Sequence, residues 1–513
     1  MQVMGNSMLL YYAIKKVARK RGHHTAILAS DQSITYSELA IQVEKTICYL
    51  IGQGIKPGDR IAVAAPNSID LIYLYLAASR LNVIIIFLYD IVDVKPRELQ
   101  SLLDHACPDW LLIGETARNG KKIEFDESRI LYFSEMRTQE IKKINIPKTK
   151  SKASRHFIQP YTSGTTGKPK GVCLSEKSLY VQARTIAEKM QLDEASRVLL
   201  TGFLFNTTGL PLSAAVLLRG AMLVFRSCQD VKDIFSEVEE KRITHFMLQP
   251  YGIARALTDG KLSQRDLKSL RLIAYGAAPM PPAILRKIRT IVNCSWLQGY
   301  GLTESCGPIT WLDENDHRSK PDSVGRVAAK TKIILVNEAG EELPPFGIGE
   351  IAIQGPTMMS GYWDMNSKQP TDDSFHQGWF RTGDLGFLDE EGYLYLKGRK
   401  KDCIVTSNGF TIYPKEVEDV IQQWEGIEEV AVVGLLHPSD NHEYPVAFIK
   451  MAQDIHHPAF KHFLVSNLSS LKLPHYIAKT STPLPRNRNG KVDKLLLQEQ
   501  ALTLFKTNQL YSL

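Results

Sequence analysis

Between about residue 25 and residue 395, short β-like apolar runs alternate with longer runs of helical period. Arg60-Ile-Ala-Val-Ala-Ala65 and Thr244-His-Phe-Met-Leu248 have the compact apolar pattern of buried strands. Ser68 to Leu81 has the length and periodicity of a helix, with Ser68 as its N-cap. Alternation on this scale predicts parallel sheets covered by helices, an α/β class. Near residue 400 the character changes. Gly398-Arg-Lys-Lys-Asp402 reads as a charged linker between two β-like runs. After it come a helix from Pro414, with Pro at the first helical position, strands Val430 to Leu436 and Val446 to Met451, and a helix around 458–471. A stretch of about 110 residues with that content is enough to fold alone. The expected organisation is a large N-terminal domain of helix-covered sheets, 1–398, and a small α+β C-terminal domain, 399–513.

Composition narrows the classes. Of 513 residues, 44% are hydrophobic and 23% charged, which excludes a disordered, collagen-like or disulfide-scaffold protein. A net charge of +7 over this length gives no argument for nucleic acid. The longest apolar run, Leu71 to Ala78, has eight residues, and the next, Val83 to Tyr89, seven; a spanning helix needs about 20, so no transmembrane segment is expected. Met8 to Ile14 is apolar and is followed by Lys15, Lys16, Arg19, Lys20 and Arg21, the reverse of the order in a secretory leader. It reads as an amphipathic opening helix, with peripheral membrane contact as the alternative. Cysteines at 48, 107, 173, 228, 294, 306 and 403 show no C-x-x-C pair, which suggests reduced thiols in a cytoplasmic protein without disulfides or a zinc site. Residues 141–155, polar and Lys-rich, read as a surface connection.

The segment richest in chemistry is Tyr161-Thr-Ser-Gly-Thr-Thr-Gly-Lys-Pro-Lys-Gly171. Its glycines let the backbone approach an anion, its N–H groups and hydroxyls can donate to phosphate oxygens, and its lysines supply compensating charge. A Walker A loop fails on two counts. Gly164 and Gly167 are three apart, not five, and Lys168 is followed by Pro169. Val172-Cys-Leu174 also reads as a strand, where Walker A opens a helix. The expectation is a lid between two strands that closes over phosphates.

This stretch closely resembles the phosphate loop of the adenylate-forming enzymes, the family of acyl-CoA synthetases, luciferases and peptide-synthetase adenylation domains. The resemblance recurs from Thr35-Tyr-Ser-Glu-Leu39 to Lys491, nearly the whole chain, and is strongest towards acyl-CoA synthetases. It implies that Thr162, Ser163, Gly164, Thr165, Thr166, Gly167 and Lys170 face ATP, with Thr165 also on the metal side. It makes Tyr275-Gly-Ala-Ala-Pro-Met280, by itself only a small-residue turn, the adenine-side loop through Gly276, Ala277, Ala278 and Pro279. In Gln298-Gly-Tyr-Gly-Leu-Thr-Glu-Ser305, Tyr300 offers a face for adenine beside Gly301, Thr303 a hydroxyl for phosphate, and Glu304 one hard oxygen for Mg²⁺. One carboxylate is enough, because phosphates and water complete the magnesium octahedron. In Phe380-Arg-Thr-Gly-Asp-Leu-Gly386, Asp384 can accept the ribose hydroxyls, and the resemblance adds Arg399 as the second ribose contact.

The resemblance further implies that Lys401 is the hinge of a mobile C-terminal domain. Ile404 to Glu418 would enter the site in the second half-reaction, with Gly409 on the thiol side. In Pro485-Arg-Asn-Arg-Asn-Gly-Lys-Val-Asp-Lys494, Lys491 would bridge the acyl carboxylate and the α-phosphate. The implied chemistry is attack of a carboxylate on ATP, giving acyl-AMP and pyrophosphate, followed by transfer to the thiol of CoA. Mg²⁺ is the cofactor, ATP and CoA are substrates, and an acyl carrier protein is the alternative acceptor. A non-catalytic nucleotide-binding protein would not need Lys491. A P-loop kinase fails on loop spacing.

For the acid, Gly202-Phe-Leu-Phe-Asn-Thr-Thr-Gly-Leu210 places Asn206 where acyl-CoA synthetases commonly have His. Asn206, Thr207 and Gly299 are the candidate acyl-pocket residues. No Asp stands nearby to pair with a substrate ammonium, so an aliphatic or aryl acid is expected in preference to an amino acid. Leu81-Asn82 and Phe87, where family members commonly have Ala-Gly and Pro, are read as repacking within the core sheet.

Overall fold

The computed structural model describes residues 9–29, 32–88, 96–114, 124–141, 154–162, 169–204, 206–226, 234–278, 280–328, 330–371, 373–406, 410–437, 442–451, 457–487 and 491–512. The chain forms two compact units. One comprises Met1–Gly276, Ala283–Lys332 and Ile353–Phe380, the other Ala277–Pro282, Ile333–Ala352 and Arg381–Leu513.

The first unit carries two large sheets. In one, Ser295–Leu302, Leu272–Gly276, His245–Leu248, Arg197–Leu200, Met222–Phe225 and Thr25–Ala29 run parallel in that order, with antiparallel strands at both margins. In the other, His156–Gln159, Ile84–Phe87, Arg60–Ala64, Trp110–Ile113 and Ile130–Tyr132 are parallel. Its remaining side continues antiparallel through Lys170–Ser175, Gly361–Asp364 and Gln369–Thr371. Helix Ile69–Leu81 packs on strand Ile84–Phe87, and helix Gly209–Arg219 on strands Arg197–Leu200 and Met222–Phe225. Both helices are buried almost all round, as expected for helices without a water-facing side. Helix Leu10–Arg21 packs on both, burying Leu10, Tyr11, Ile14 and Ala18 and ending on Arg19, Lys20 and Arg21. The amphipathic opening helix is therefore present. Among the described residues no helix is long and apolar enough to cross a membrane.

The strands read from the sequence appear as Arg60–Ala64 and His245–Leu248. Ser68 does precede helix Ile69–Leu81, but its hydroxyl caps no helical N–H and is buried without a partner among the described residues. Asn82 is not in the sheet. It is the left-handed C-cap of that helix, at φ 63°, where Asn is the usual substitute for Gly. Phe87 does end a sheet strand.

The second unit contains, from Arg381 on, the hairpin of Trp379–Leu388 with Leu394–Arg399, and a sheet ordered Ile427–Leu436, Glu443–Met451, Tyr476–Thr480 and Tyr511–Ser512. Alternation along Ile427–Leu436 splits its core. Val432 joins Ile412, Val417, Phe460 and Leu464, whereas Ala431, Val433 and Leu435 join Leu484, Leu497 and Ala501. The two strands foreseen here are longer than read, and the last helix is shorter, His457–Asn467. The helix from Pro414 runs to Ile421. Gly398-Arg-Lys-Lys-Asp402 is only partly a linker. Gly398 and Arg399 are the end of a strand, and Lys400–Asp402 is a 3₁₀ turn.

One short strand of the first unit, Gly361–Asp364, braces the surroundings of the phosphate loop. It pairs with Lys170–Ser175 through Gly361↔Cys173 and Tyr362↔Val172. Its Trp363 ring lies 3.4 Å from the Arg60 guanidinium, and the indole N–H donates to His105 O at 3.1 Å. Arg60 is 8% exposed and pairs with no carboxylate among the described residues. Its Nη2 donates instead to Gln159 Oε1 at 2.8 Å and Ala106 O at 3.0 Å. Burial pulls the Arg60 pKa down. Gln159 in turn donates to the hydroxyl of Tyr161, which also meets His105 Nδ1 at 2.9 Å. Gly171 closes the brace, since a Cβ there would stand 2.6 Å from Gln159 Nε2.

Two predictions follow from this brace. Gly361 sits at φ 141°, and a Cβ would fall 1.7 Å from Thr371 O. Gly361→Ala should destabilise the protein by about 2 kcal/mol or more, read as a fall in the urea midpoint; an unchanged midpoint would show that the strand tolerates a side chain. Arg60→Met leaves two buried acceptors unpaired, each worth about 1–3 kcal/mol. A loss of about 2–4 kcal/mol is expected, and a variant as stable as wild type would remove Arg60 from the brace.

Candidate active site

In open α/β sheets, ligands gather at the carboxyl ends of parallel strands. Here two such ends meet with almost no side chain between them. Gly276 and Gly299 are partners on adjacent parallel strands, and a Cβ on Gly276 would lie 2.3 Å from Gly299 O. A Cβ on Gly299 would press on Pro308 and Trp311 at 3.1–3.2 Å. Beyond Gly276, Ala277 takes a left-handed φ of 66° and Ala278 lies in the same bend. Tyr300 pairs with Thr310, a bulge follows it, and its ring is largely covered, at 9% exposure. Gly301 lies so close to Gly307 that a Cβ would be 2.1 Å from Gly307 O. Such bulges re-aim side chains next to sites.

The turn after strand Ser295–Leu302 carries Thr303 and Glu304. Cys306 N–H donates to Thr303 O at 3.0 Å, and Met359 N–H to Glu304 O at 2.8 Å. The Glu304 carboxylate accepts the Tyr362 hydroxyl at 2.7 Å on Oε1, and Oε2 meets no donor among the described residues. The Tyr362 ring in turn faces the Lys170 ammonium at 4.9 Å. Lys170 is paired across the loop with Thr162. The structure thus brings Thr162, Lys170 and Glu304 into one neighbourhood through Tyr362. Sequence reasoning missed Tyr362. The available signal was a Gly followed by two aromatics, Gly361-Tyr362-Trp363, on a short β-like run. Ser163, Gly164, Thr165, Thr166, Gly167, Pro279 and Gly409 lie outside the described residues.

The donor set can be tested against Mg²⁺. Among the described residues no group of three or more His, Cys, Asp or Glu could cage a metal. A single half-exposed carboxylate with one oxygen fixed and one available fits Mg²⁺, which takes one or two carboxylates and fills its octahedron with phosphates and water.

In the second unit, Asp384 and Arg399 are partners on the hairpin and form an ion pair of 2.6 Å, with Asp384 7% exposed. Asp384 is therefore mid-strand and not in a hairpin turn. Its backbone N–H donates to Thr382 Oγ1, which donates to Ile351 O. Glu350 accepts Gly383 N–H at 3.1 Å and pairs with Arg381 at 2.8 Å and Lys400 at 3.7 Å. Lys401 is exposed on the 3₁₀ turn. Lys491 is exposed where the chain closes a tight loop. Its N–H donates to Asn487 Oδ1 at 3.1 Å, and its carbonyl accepts Asn487 N–H at 2.8 Å.

Asn206, in the first unit, is exposed, and its Oδ1 accepts Thr208 N–H at 2.9 Å and Gly209 N–H at 2.6 Å. It satisfies orphan donors at the start of helix Gly209–Arg219, a role Asn performs well. Thr207 lies against Gly307, whose φ is 117° and whose Cβ would stand 2.6 Å from Thr207 O. Thr207 thus neighbours the loop that follows Glu304.

Known proteins are similar to this chain along most of its length. The description "AMP-binding enzyme" matches residues 14–363, and "AMP-binding enzyme C-terminal domain" matches 416–491. The long-chain-fatty-acid–CoA ligase FadD13 of Mycobacterium tuberculosis is 29% identical over 499 residues, covering 92% of this chain and 94% of its own length. Indoleacetate–CoA ligase of Aromatoleum aromaticum is 31% identical over 426 residues, covering 80% and 82%. The solved o-succinylbenzoate coenzyme A synthetase from Bacillus subtilis, in complex with ATP and magnesium ion, is 26% identical with a TM-score of 0.81, covering 95% of this chain and 99% of that one. The fold is that of these adenylate-forming enzymes, with a large N-terminal and a small C-terminal domain. Because the first description spans more than half of its residues, the chain belongs to the AMP-binding enzyme family.

Proposed function

We propose that this enzyme activates a carboxylic acid with ATP, forming acyl-AMP and pyrophosphate, and then transfers the acyl group to the thiol of CoA. The observation that carries the proposal is the contact chain Lys170–Tyr362–Glu304, which sets a cation and a metal-binding carboxylate beside the ends of the phosphate loop. The named relatives, CoA ligases for long-chain fatty acids and indoleacetate, support an aliphatic or aryl acid, as does the lack of an Asp along 202–210.

In this reading the acid's oxygen bonds to the α-phosphorus as the bond to the bridging oxygen of the β-phosphate breaks, and pyrophosphate carries the electron pair away. The nucleophile is already an anion, so no residue acts as general base. When bound, Mg²⁺ neutralises phosphate charge and is held by Glu304 with Thr165 beside it. Thr162, Ser163, Gly164, Thr165, Thr166, Gly167 and Lys170 hold the phosphates, with Thr303. Gly276, Ala277, Ala278, Pro279, Tyr300 and Gly301 receive adenine, and Asp384 with Arg399 the ribose. Lys491 stabilises the charge where carboxylate and α-phosphate meet. Gly299 and Thr207 border the acyl group, with Asn206 as the cap that shapes this border. For the second step the C-terminal domain, 399–513, turns about Lys401 against the N-terminal domain, 1–398, and brings Gly409 to the thiol. Either CoA or a carrier-protein phosphopantetheine presents such a thiol. CoA is the acceptor we favour, because the named relatives are CoA ligases. Action in the cytoplasm is part of the same reading.

With ATP, Mg²⁺ and a panel of acids, the products expected are pyrophosphate and AMP in equal amounts, with thioester appearing when CoA is added. ADP and orthophosphate as the stoichiometric products would overturn the ligase reading. Lys491→Ala should slow acyl-AMP formation on the order of 10²–10³-fold. Supplied acyl-AMP plus CoA should still give thioester at a near-normal rate. Equal losses in the two half-reactions would remove Lys491 from the adenylation step.

A further inference from the structure

We propose that Tyr362 is a positioning residue that holds the Glu304 carboxylate and the Lys170 ammonium apart, each presented to the magnesium–phosphate group of ATP. The proposal rests on the assignment of Glu304 to the metal. Three observations carry it. The Tyr362 hydroxyl donates to Glu304 Oε1 at 2.7 Å, a charge-assisted bond that fixes one oxygen and leaves Oε2 to the metal. The Lys170 ammonium lies 4.9 Å from the centre of the same ring. Lys170 forms no ion pair with Glu304 or any other acid among the described residues.

The physical need for a spacer is electrostatic. A lysine and a glutamate at direct contact attract each other far more strongly at a protein surface than in bulk water. Triphosphate and metal would have to break that pair before either could bind. A neutral phenol satisfies both without neutralising either. Its hydroxyl gives the carboxylate a proton donor, and its face gives the ammonium a region of negative potential. The backbone cannot slide, because Gly361 and Tyr362 pair with Cys173 and Val172. The adjacent Trp363 is pinned on the Arg60 guanidinium at 3.4 Å. Successive side chains on a strand point to opposite faces, so this anchor and the Tyr362 contacts do not compete.

The test is calorimetric titration of ATP into the full-length enzyme at a series of Mg²⁺ concentrations, without acid, so that nothing turns over. Tyr362→Phe keeps the ring and removes only the hydroxyl. It should raise the Mg²⁺ concentration for half-maximal ATP binding by about tenfold, the usual scale for losing a partner of a metal ligand. Binding of ATP in EDTA should be unchanged, and saturating Mg²⁺ should restore wild-type affinity. Tyr362→Leu removes the ring as well and should also weaken ATP binding in EDTA. Glu304→Gln is the reference. If it shifts the Mg²⁺ curve and Tyr362→Phe does not, the positioning role is overturned and the Glu304 assignment stands. If Glu304→Gln shifts nothing, the Glu304 assignment fails and the proposal with it. Equal loss of ATP binding by Tyr362→Phe with and without metal would mean a merely structural role and would also overturn it. Should Tyr362→Phe not fold, Tyr362→Leu decides, since the proposal requires its metal-dependent loss to exceed its loss in EDTA.

Discussion

A buried guanidinium that pairs with no carboxylate among the described residues is the constraint on which one sheet of the first unit depends. Arg60 lies inside the sheet that leads to the phosphate loop, and a cation there is costly unless its charge and donors are met. The face of Trp363 meets the charge, and the amide of Gln159 and the carbonyl of Ala106 meet the Nη2 donors, while Nε and Nη1 find no partner among the described residues. Because these groups come from three separate stretches of chain, satisfying Arg60 fixes Gly361–Asp364 and Gln159 against one another. Gln159 then holds Tyr161, and a Cβ at Gly171 would crowd the Gln159 amide at 2.6 Å. The chain on either side of residues 163–168, proposed to hold phosphates, is thus placed by an interaction that contains none of the residues proposed to bind them.

The second unit fixes its own polar groups by a different device. Asp384 is held by strand register, by the Thr382 hydroxyl and by the ion pair to Arg399, while Glu350 gathers Gly383, Arg381 and Lys400 beside it. Here the backbone around the acid is tied down by hydrogen bonds instead of by a buried cation. The run following Arg399 turns at once into the 3₁₀ segment with Lys401, so the last rigid residue of the hairpin and the residue read as the hinge are two apart.

Much of this was legible in the sequence, for identifiable reasons. Buried strands such as Arg60–Ala64 and the helix from Pro414 declare themselves by period and by local chemistry that no tertiary contact overrides. Where local chemistry competes with tertiary demands, the reading weakens. Ser68 has the right residue type for a cap yet makes no capping bond, and Asn206 caps a helix from a segment read as pocket lining. Asn82 was assigned to a sheet because nothing in its neighbours reveals a left-handed φ. Gly398 and Arg399 read as linker because a strand that pairs with a distant partner can be as charged as a loop. Arg60, Gln159 and Tyr362 were invisible as functional supports. Their importance arises only from partners on average far along the chain, and single-sequence periodicity holds no record of such pairings.

Lys170 of the first unit and Arg399 of the second, proposed to meet triphosphate and ribose, differ in how each is balanced within its own unit, and the difference follows the ligand each would meet. Arg399 is neutralised by Asp384 at 2.6 Å. Ribose is uncharged, so a neutral acid–base pair with oxygens to accept hydroxyl protons suits it, and an unbalanced charge there would add nothing. Among the described residues, Lys170 is balanced by a tyrosine ring and by no carboxylate. The triphosphate is highly anionic, and a lysine already paired with a carboxylate would offer it little. Keeping Lys170 over a neutral ring preserves its full charge for the ligand, and the hydroxyl of that ring does the same for Glu304. In the proposed roles, each unit thus matches the charge of the group it would meet: the second holds a neutral acid–base pair for ribose, and the first holds a cation and a carboxylate apart across a phenol for triphosphate and metal.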